Sequence, residues 1–356
     1  MKKAHQEFHR RRAKSKTTPI KGKRMSPQRR KRSKRMVSIP FANKLMVPKE
    51  FSIYERDGGD TIVYEQSIDF IENISKIDLN NSYVIDFSKT IRLTAAALVV
   101  LYATIEQVKE RGTFKATIVW PNSESVKKIL MRSGMSELLR NIPPNRYNSH
   151  NSNKTIISGV GSEGFEELID KIEKNVYREQ MSDEIEFLYG DAISEALNNV
   201  GRHAYPNIDD EKRKWWLLCD VIGEKLYVLI YDAGVGIPKT VVQRNWFVKS
   251  VEEFYPEQYE SAKENSQNKL LFFKLLKDEN LIDLAMKQDV TGTLKRKHGQ
   301  GSKSIKALIG ETEGGKLWIY SNNGLLTFKS EDEPVGLHSL NRKFPGTLVQ
   351  WNIKIS

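Results

Sequence analysis

Cysteine is nearly absent: the 356 residues contain one, Cys219. A single thiol excludes an intramolecular disulfide framework and a cysteine-built zinc site. Long apolar runs are missing as well. No stretch reaches the roughly 18 consecutive apolar residues of a membrane-spanning helix. Residues 1–40 have no apolar core of the kind a secretory signal requires, so a cytoplasmic protein with no membrane partner is expected. Cys219 lies within residues 215–221, an apolar run that predicts a buried strand, and the thiol reads as a small core side chain.

Acidic residues are scarce at one end only. Residues 1–36 hold sixteen Lys and Arg against one acid, Glu7, a net charge of +15. Because the whole chain carries +12, the other 320 residues sum to −3. The basic balance therefore describes a tail and not the protein. The run Arg29, Arg30, Lys31, Arg32, Lys34, Arg35 has almost no apolar neighbours to fold around, and a disordered segment is expected over residues 1–40. Such a tail either contacts nucleic-acid phosphates through residues 1–36 or serves as a solubilising, partner-binding arm.

What remains predicts an α/β protein. Residues 41–142 read as strand (61–64), helix (67–74), strand (83–87), helix (94–111), strand (115–120) and helix (123–131), an alternation that favours parallel strands. Gly112 stands where the long helix must stop, and Asn122 or Ser123 is placed to cap the next one. Residues 143–162, rich in Pro, Asn and Ser, predict a linker. A second unit, 163–356, opens with a helix over 163–173.

Within that unit the candidate chemistry lies on three segments. Residues 183–205 have helical periodicity, with Ile185, Leu188, Ile193, Ala196, Leu197 and Val200 forming a core-facing stripe. Glu195, Asn199 and His203 fall four apart on another line of the same helix. A carboxylate, an amide and an imidazole in line offer a general base, a metal ligand and a phosphate contact, although charged residues at this spacing also make an ordinary solvated face. Next, a strand over 226–231 runs into Asp232, Gly234 and Gly236, where backbone without Cβ atoms can approach a flat ligand, or simply turn. Finally Gly299 and Gly301 open a helix over 303–309, exposing backbone N–H groups to an anion, with Lys295, Arg296 and Lys297 just before them.

The order Glu195-x-x-x-Asn199-x-x-x-His203, Asp232-x-Gly234-x-Gly236, Gly299-x-Gly301 and then Gly346-Thr347 in a terminal strand resembles the N-box, the two glycine boxes and the last strand of the GHKL ATPases. This superfamily of gyrase, the heat-shock ATPase chaperone, histidine kinases and MutL shares the Bergerat α/β sandwich. The resemblance covers residues 165–356, with strands over 316–321 and 347–355 as its closing hairpin. It implies ATP and Mg²⁺ as cofactors. Asp232, helped by Thr347, would accept from the adenine amino group, and Asn199 would hold the Mg²⁺. Glu195 would be the catalytic base, and Gly299 and Gly301 would sit at the phosphates. Residues 238–298 would form an unusually long lid, with helices over 269–276 and 281–287 and with Phe247, Phe254 and Tyr255 as a small satellite core.

The first unit, through residues 83–88 followed by Thr94, Ala95 and Ala96, resembles the STAS domains of anti-sigma-factor antagonists. In that family a serine at the helix start is phosphorylated by a Bergerat-fold kinase. Ala95 and Ala96 occupy the matching positions here, so the resemblance implies a degenerate, STAS-like scaffold that meets a protein partner. Three functions follow as expectations: an ATP- and Mg²⁺-dependent switch with slow hydrolysis, a serine/threonine protein kinase of the anti-sigma-factor type, and a nucleic-acid-associated regulator docked through the tail.

Overall fold

A computed structural model describes residues 42–54, 61–140, 142, 154–161, 168–169, 172, 183–222, 224–265, 276–291, 309–310, 314–329 and 334–354. The basic tail lies outside the described residues, as do nearly all of the expected helices over 163–173, 269–276 and 303–309 and most of the expected linker.

The described chain is mixed α/β. Its first part runs β1 (Asn43–Met46), β2 (Glu50–Phe51), α1 (Ile62–Ser75), β3 (Ser82–Asp86), β4 (Arg92–Leu93), α2 (Ala95–Glu110), β5 (Lys115–Val119), α3 (Glu124–Ser133) and α4 (Met135–Leu139). β1, β3 and β5 form a parallel sheet in that order; β3 and β5 are the expected strands over 83–87 and 115–120, paired parallel as expected, whereas β1 is not among the expected strands. Thr94 caps α2, its Oγ1 accepting from Ala97 N at 3.4 Å, and Ser123 caps α3 in the same way, accepting from Val126 N at 3.5 Å. The expected strand over 61–64 is instead the first turn of α1. Val63, Ser67, Phe70 and Ile74 are buried together with Tyr64, Ile68 and Ile71. That spacing is helical from its first residue, and burial of this face outweighs the strand preference of Ile62, Val63 and Tyr64.

The second part begins with β6 (Ile156–Val160), inside the segment expected as linker. Its apolar run is too short to predict a strand. It is held by pairing antiparallel to β7 (Lys214–Ile222), with Gly159 against the ring of Trp215. Then follow α5 (Asp183–Asn199), a π-helical turn (Val200–Ala204), β7, β8 (Lys225–Asp232), α6 (Ile237–Val241), α7 (Phe247–Phe254), α8 (Pro256–Asn265), α9 (Asp278–Thr291), β9 (Lys316–Phe328) and β10 (Gly336–Lys354). The five strands pair antiparallel in the order β6–β7–β8–β10–β9. β9 and β10 outrun the strands expected over 316–321 and 347–355. The turn-forming residues inside them, Asn322 at φ 51° and Gly346, accommodate irregular register and do not end the strands.

Both faces of this sheet are buried. On one face Trp215, Leu217, Cys219, Val228 and Ile230 share a core with Tyr189, Ile193, Ala196 and Leu197 of α5. On the other, Trp216, Leu218, Leu229, Tyr231, Tyr320 and Leu348 share a core with α1 and α2. α2 is buried through most of its length, as its run from Ala95 to Ala103 requires. Each large apolar side chain so buried contributes roughly 1.5–3 kcal/mol. Polar links cross the same contact. Glu106 of α2, buried, accepts from Trp216 Nε1 at 3.0 Å and from Lys214 Nζ at 3.3 Å, and Lys214 also pairs with Glu110. Arg132 pairs with Asp220 at 2.8 Å, and Tyr64 Oη donates to the carbonyl of Arg342 at 2.8 Å. Among the described residues no helix is long and apolar enough to cross a membrane.

Candidate functional site

α5 buries Ile193, Ala196 and Leu197 in the sheet core, with Val200 of the π turn continuing the stripe as expected. This face fixes the helix's rotation, and the neighbouring line of Glu195, Asn199 and His203 is half-buried. The helix widens to a π turn at Val200, which shifts His203 off an ideal four-residue stack. Asn199 and His203 line a cavity of about 280 Å³, whereas Glu195, one turn back, is not in its wall.

β8 delivers Asp232 to the same cavity. The carboxylate is buried, and its Oδ1 accepts from the backbone N–H of Gly234 at 2.9 Å. Burial pushes its pKa up to about 7, which the Gly234 N–H only partly counters. Thr347 stands directly across the β8–β10 ladder from Asp232 and also lines the cavity. Its hydroxyl lies 3.1 Å from Ser321 Oγ, which in turn accepts from Ile237 N at 2.9 Å. Apolar walls come from Ile230, Ile237, Val241, Met286, Ile319 and Val349. An apolar cleft with few convergent polar groups is the common make-up of small-molecule sites, and the volume here falls just under the ~300–1,000 Å³ typical of them.

Gly236 lines the cavity and Gly234 does not. A Cβ at Gly234 would come within 2.1 Å of the carbonyl oxygen of Ala204, which accepts from Val235 N at 2.9 Å. Gly234 thus lets the loop lie against the end of the π turn, and the close approach is to protein backbone. Gly346, at φ 87°, is constrained twice, because a Cβ there would meet the carbonyl of Asp232 at 2.0 Å. Tyr205 secures the same loop. Its Oη accepts from Ala233 N at 3.0 Å and donates to the carbonyl of Lys214 at 2.7 Å.

Beyond the apolar walls, Thr240, Arg244 and Trp246, from the stretch expected as a lid, line the cavity without any sequence signal as site residues. Arg244 Nη2 donates to His203 Nδ1. Burial, and then the Arg244 cation, lower the His203 pKa to about 4, so the ring is neutral at pH 7. Since guanidinium can only donate, Nδ1 is the acceptor and the imidazole proton sits on Nε2. Beyond the wall, Phe247, Val251, Tyr255, Leu281 and Leu284 form a separate apolar cluster with Phe254 packed on it, the satellite core that those aromatics predict. Lys287 lies over the rings of Phe254 and Tyr255, 5.5 and 5.1 Å from their centroids, and pairs with the buried Asp283 at 2.7 Å.

Lys297, Gly299 and Gly301 lie outside the described residues. Cys219 is buried, its thiol 3.2 Å from Tyr189 Oη and pushed up to about 12 by burial, as suits a packing residue. Among the described residues no three or more His, Cys, Asp or Glu side chains gather as a metal cage. No family model matches the chain, and no curated protein matches it either.

Proposed function

We propose that the cavity binds ATP with Mg²⁺ and that the chain is a nucleotide-dependent regulatory switch of the GHKL type. The observation that carries this reading is Asp232. It is a buried carboxylate with no cation beside it among the described residues, set in an apolar pocket across from Thr347. Leaving a carboxylate so poorly compensated is costly unless a ligand supplies donors. An adenine amino group, with flat apolar flanks, fits that need, and apolar walls flank the carboxylate here.

Asn199 supports the Mg²⁺ assignment. It offers one amide oxygen in the cavity wall, and Mg²⁺ commonly takes one or two protein oxygens, substrate phosphates and several waters. The ion would draw charge from the phosphates. Glu195, a turn before Asn199, would orient or deprotonate a water, and hydrolysis would reset the switch. The STAS-like reading assigns α1 and α2 to the layer that reports the nucleotide to a protein partner. Self-phosphorylation of that layer is disfavoured, since Ala95 and Ala96 lack hydroxyls and the Thr94 hydroxyl caps α2. Titration calorimetry with ATP and Mg²⁺ tests the proposal. Micromolar binding supports it, and no binding by ATP, ADP or adenosine rejects it.

A further inference from the structure

We infer that Arg244 grips the phosphate end of the bound nucleotide and makes the site select phosphorylated ligands over the bare nucleoside; this rests on the nucleotide reading above. Arg244 follows α6, lines the same cavity as Asp232 and Asn199, and keeps its side chain exposed. It is the one Lys or Arg among the described wall residues. The cavity is therefore polarised, with a buried carboxylate and an exposed guanidinium on one lining. A nucleotide has the matching polarity, an amino-bearing base that needs an acceptor and a phosphate tail that needs a cation.

The company Arg244 keeps points the same way. Among the described residues no carboxylate pairs with it. Its partner is the imidazole of His203, which takes one of five N–H donors and, being neutral, leaves the positive charge uncompensated. The contact also fixes the direction of the fork, because a side chain anchored at Nη2 loses less freedom when a second acceptor arrives. With its proton on Nε2, His203 adds a neutral donor to the same wall. An arginine held by an imidazole beside a cavity is thus a prepared anion site, and phosphate oxygens are its natural bidentate partners. A structural arginine would be expected to hold a carboxylate or carbonyl, and among the described residues Arg244 holds neither.

The experiment compares adenosine, AMP, ADP and ATP by calorimetry on the full chain, with Arg244→Ala and Arg244→Gln beside the wild type and melting temperatures to check folding. Wild type should bind the phosphorylated ligands more tightly than adenosine. Both variants should lose about tenfold or more for those ligands while adenosine affinity stays within twofold. Raising the salt should weaken ATP relative to adenosine in the wild type and much less in the variants. Arg244→Lys, which keeps the charge and loses the fork, should fall between. Equal losses for adenosine and ATP, or no loss for either, would overturn the role of Arg244 while leaving nucleotide binding intact. A wild type that binds none of the four ligands rejects the nucleotide reading itself, and the role of Arg244 with it.

Discussion

Thr347 and Asp232 are directly paired across the β8–β10 ladder, and both line the cavity. The pairing sets a hydroxyl, already bonded to Ser321, beside a carboxylate whose described partner is one backbone N–H. If the carboxylate receives the adenine amino group, Asp232→Asn removes a charge-assisted hydrogen bond worth roughly 1.5–3 kcal/mol. ATP affinity should fall by an order of magnitude or more. Because Asp232 titrates near pH 7 when the cavity is free, binding should also release protons there and tighten from pH 6 to pH 8. Calorimetry in buffers of different ionisation heat measures both, and equal affinity in the two proteins would remove Asp232 from the site.

The free protein should carry two opposed titrations in its stability. Asp232 has a native pKa raised above the ordinary carboxylate value, so its contribution is full below that range and is lost as pH rises from there to about 7. With complete burial the loss is on the order of a few kcal/mol. His203 has a native pKa lowered to about 4, so its contribution runs the other way and is lost as pH drops from the ordinary imidazole range toward 4. The two windows overlap, so in urea denaturation the wild type should show little net pH dependence from these groups between about pH 4 and 6.5. Asp232→Asn should uncover a stability that rises with pH over this range, and His203→Gln one that falls. A fall with rising pH that survives Asp232→Asn would trace that titration to another group.

On the proposed reading, Asn199 and Glu195 separate binding from chemistry. Asn199→Ala should abolish the dependence of ATP affinity on Mg²⁺ while sparing adenosine, measured by calorimetry with and without chelator. Glu195→Ala should leave ATP binding within a few-fold, since that residue is outside the cavity wall, and lower phosphate release by about 10²–10⁴-fold. Label transferred from γ-labelled ATP to an added protein, with no free phosphate, would instead favour the kinase alternative. Turnover unchanged by Glu195→Ala would assign the base elsewhere.

The tail is separable from the pocket on charge grounds. Removing residues 1–36 takes away a net +15 and leaves about −3, and every residue proposed for the nucleotide site lies beyond position 190. The truncated protein should keep its ATP affinity and melting temperature. If the tail serves nucleic acid, binding of the full chain to mixed-sequence DNA or RNA, followed by fluorescence anisotropy, should fall steeply with salt, show no sequence preference and disappear on truncation. No binding by the full chain at low salt would leave the tail as a protein-docking arm.

Much of this was legible in the sequence where burial is periodic. The stripe from Ile193 to Val200 and the strand around Cys219 alternate or recur as their surroundings demand, and Thr94 and Ser123 cap the helices they precede. Asn199, His203, Asp232, Gly236 and Thr347, spread over almost 150 residues, line one cavity. Local pattern failed where long-range pairing decides. β6 is a strand because β7 lies beside it, and the first turn of α1 is helical because its buried face continues that of the turns after it. Arg244 was invisible for the same reason, since its meaning comes from an imidazole 41 residues earlier. Turn-like residues inside β9 and β10 misled because a bulge and a turn use the same chemistry.

The five-stranded sheet has no wet face, and this limits how the protein can be dissected. Cutting the chain between residues 140 and 154 would strip α1 and α2 from Trp216, Tyr231, Tyr320 and Leu348, and would leave Glu106 on one fragment with its indole and ammonium partners on the other. Each fragment would expose a sticky aromatic or aliphatic surface, so fragment expression would report on aggregation and not on function. The informative tools are point substitutions in the intact chain.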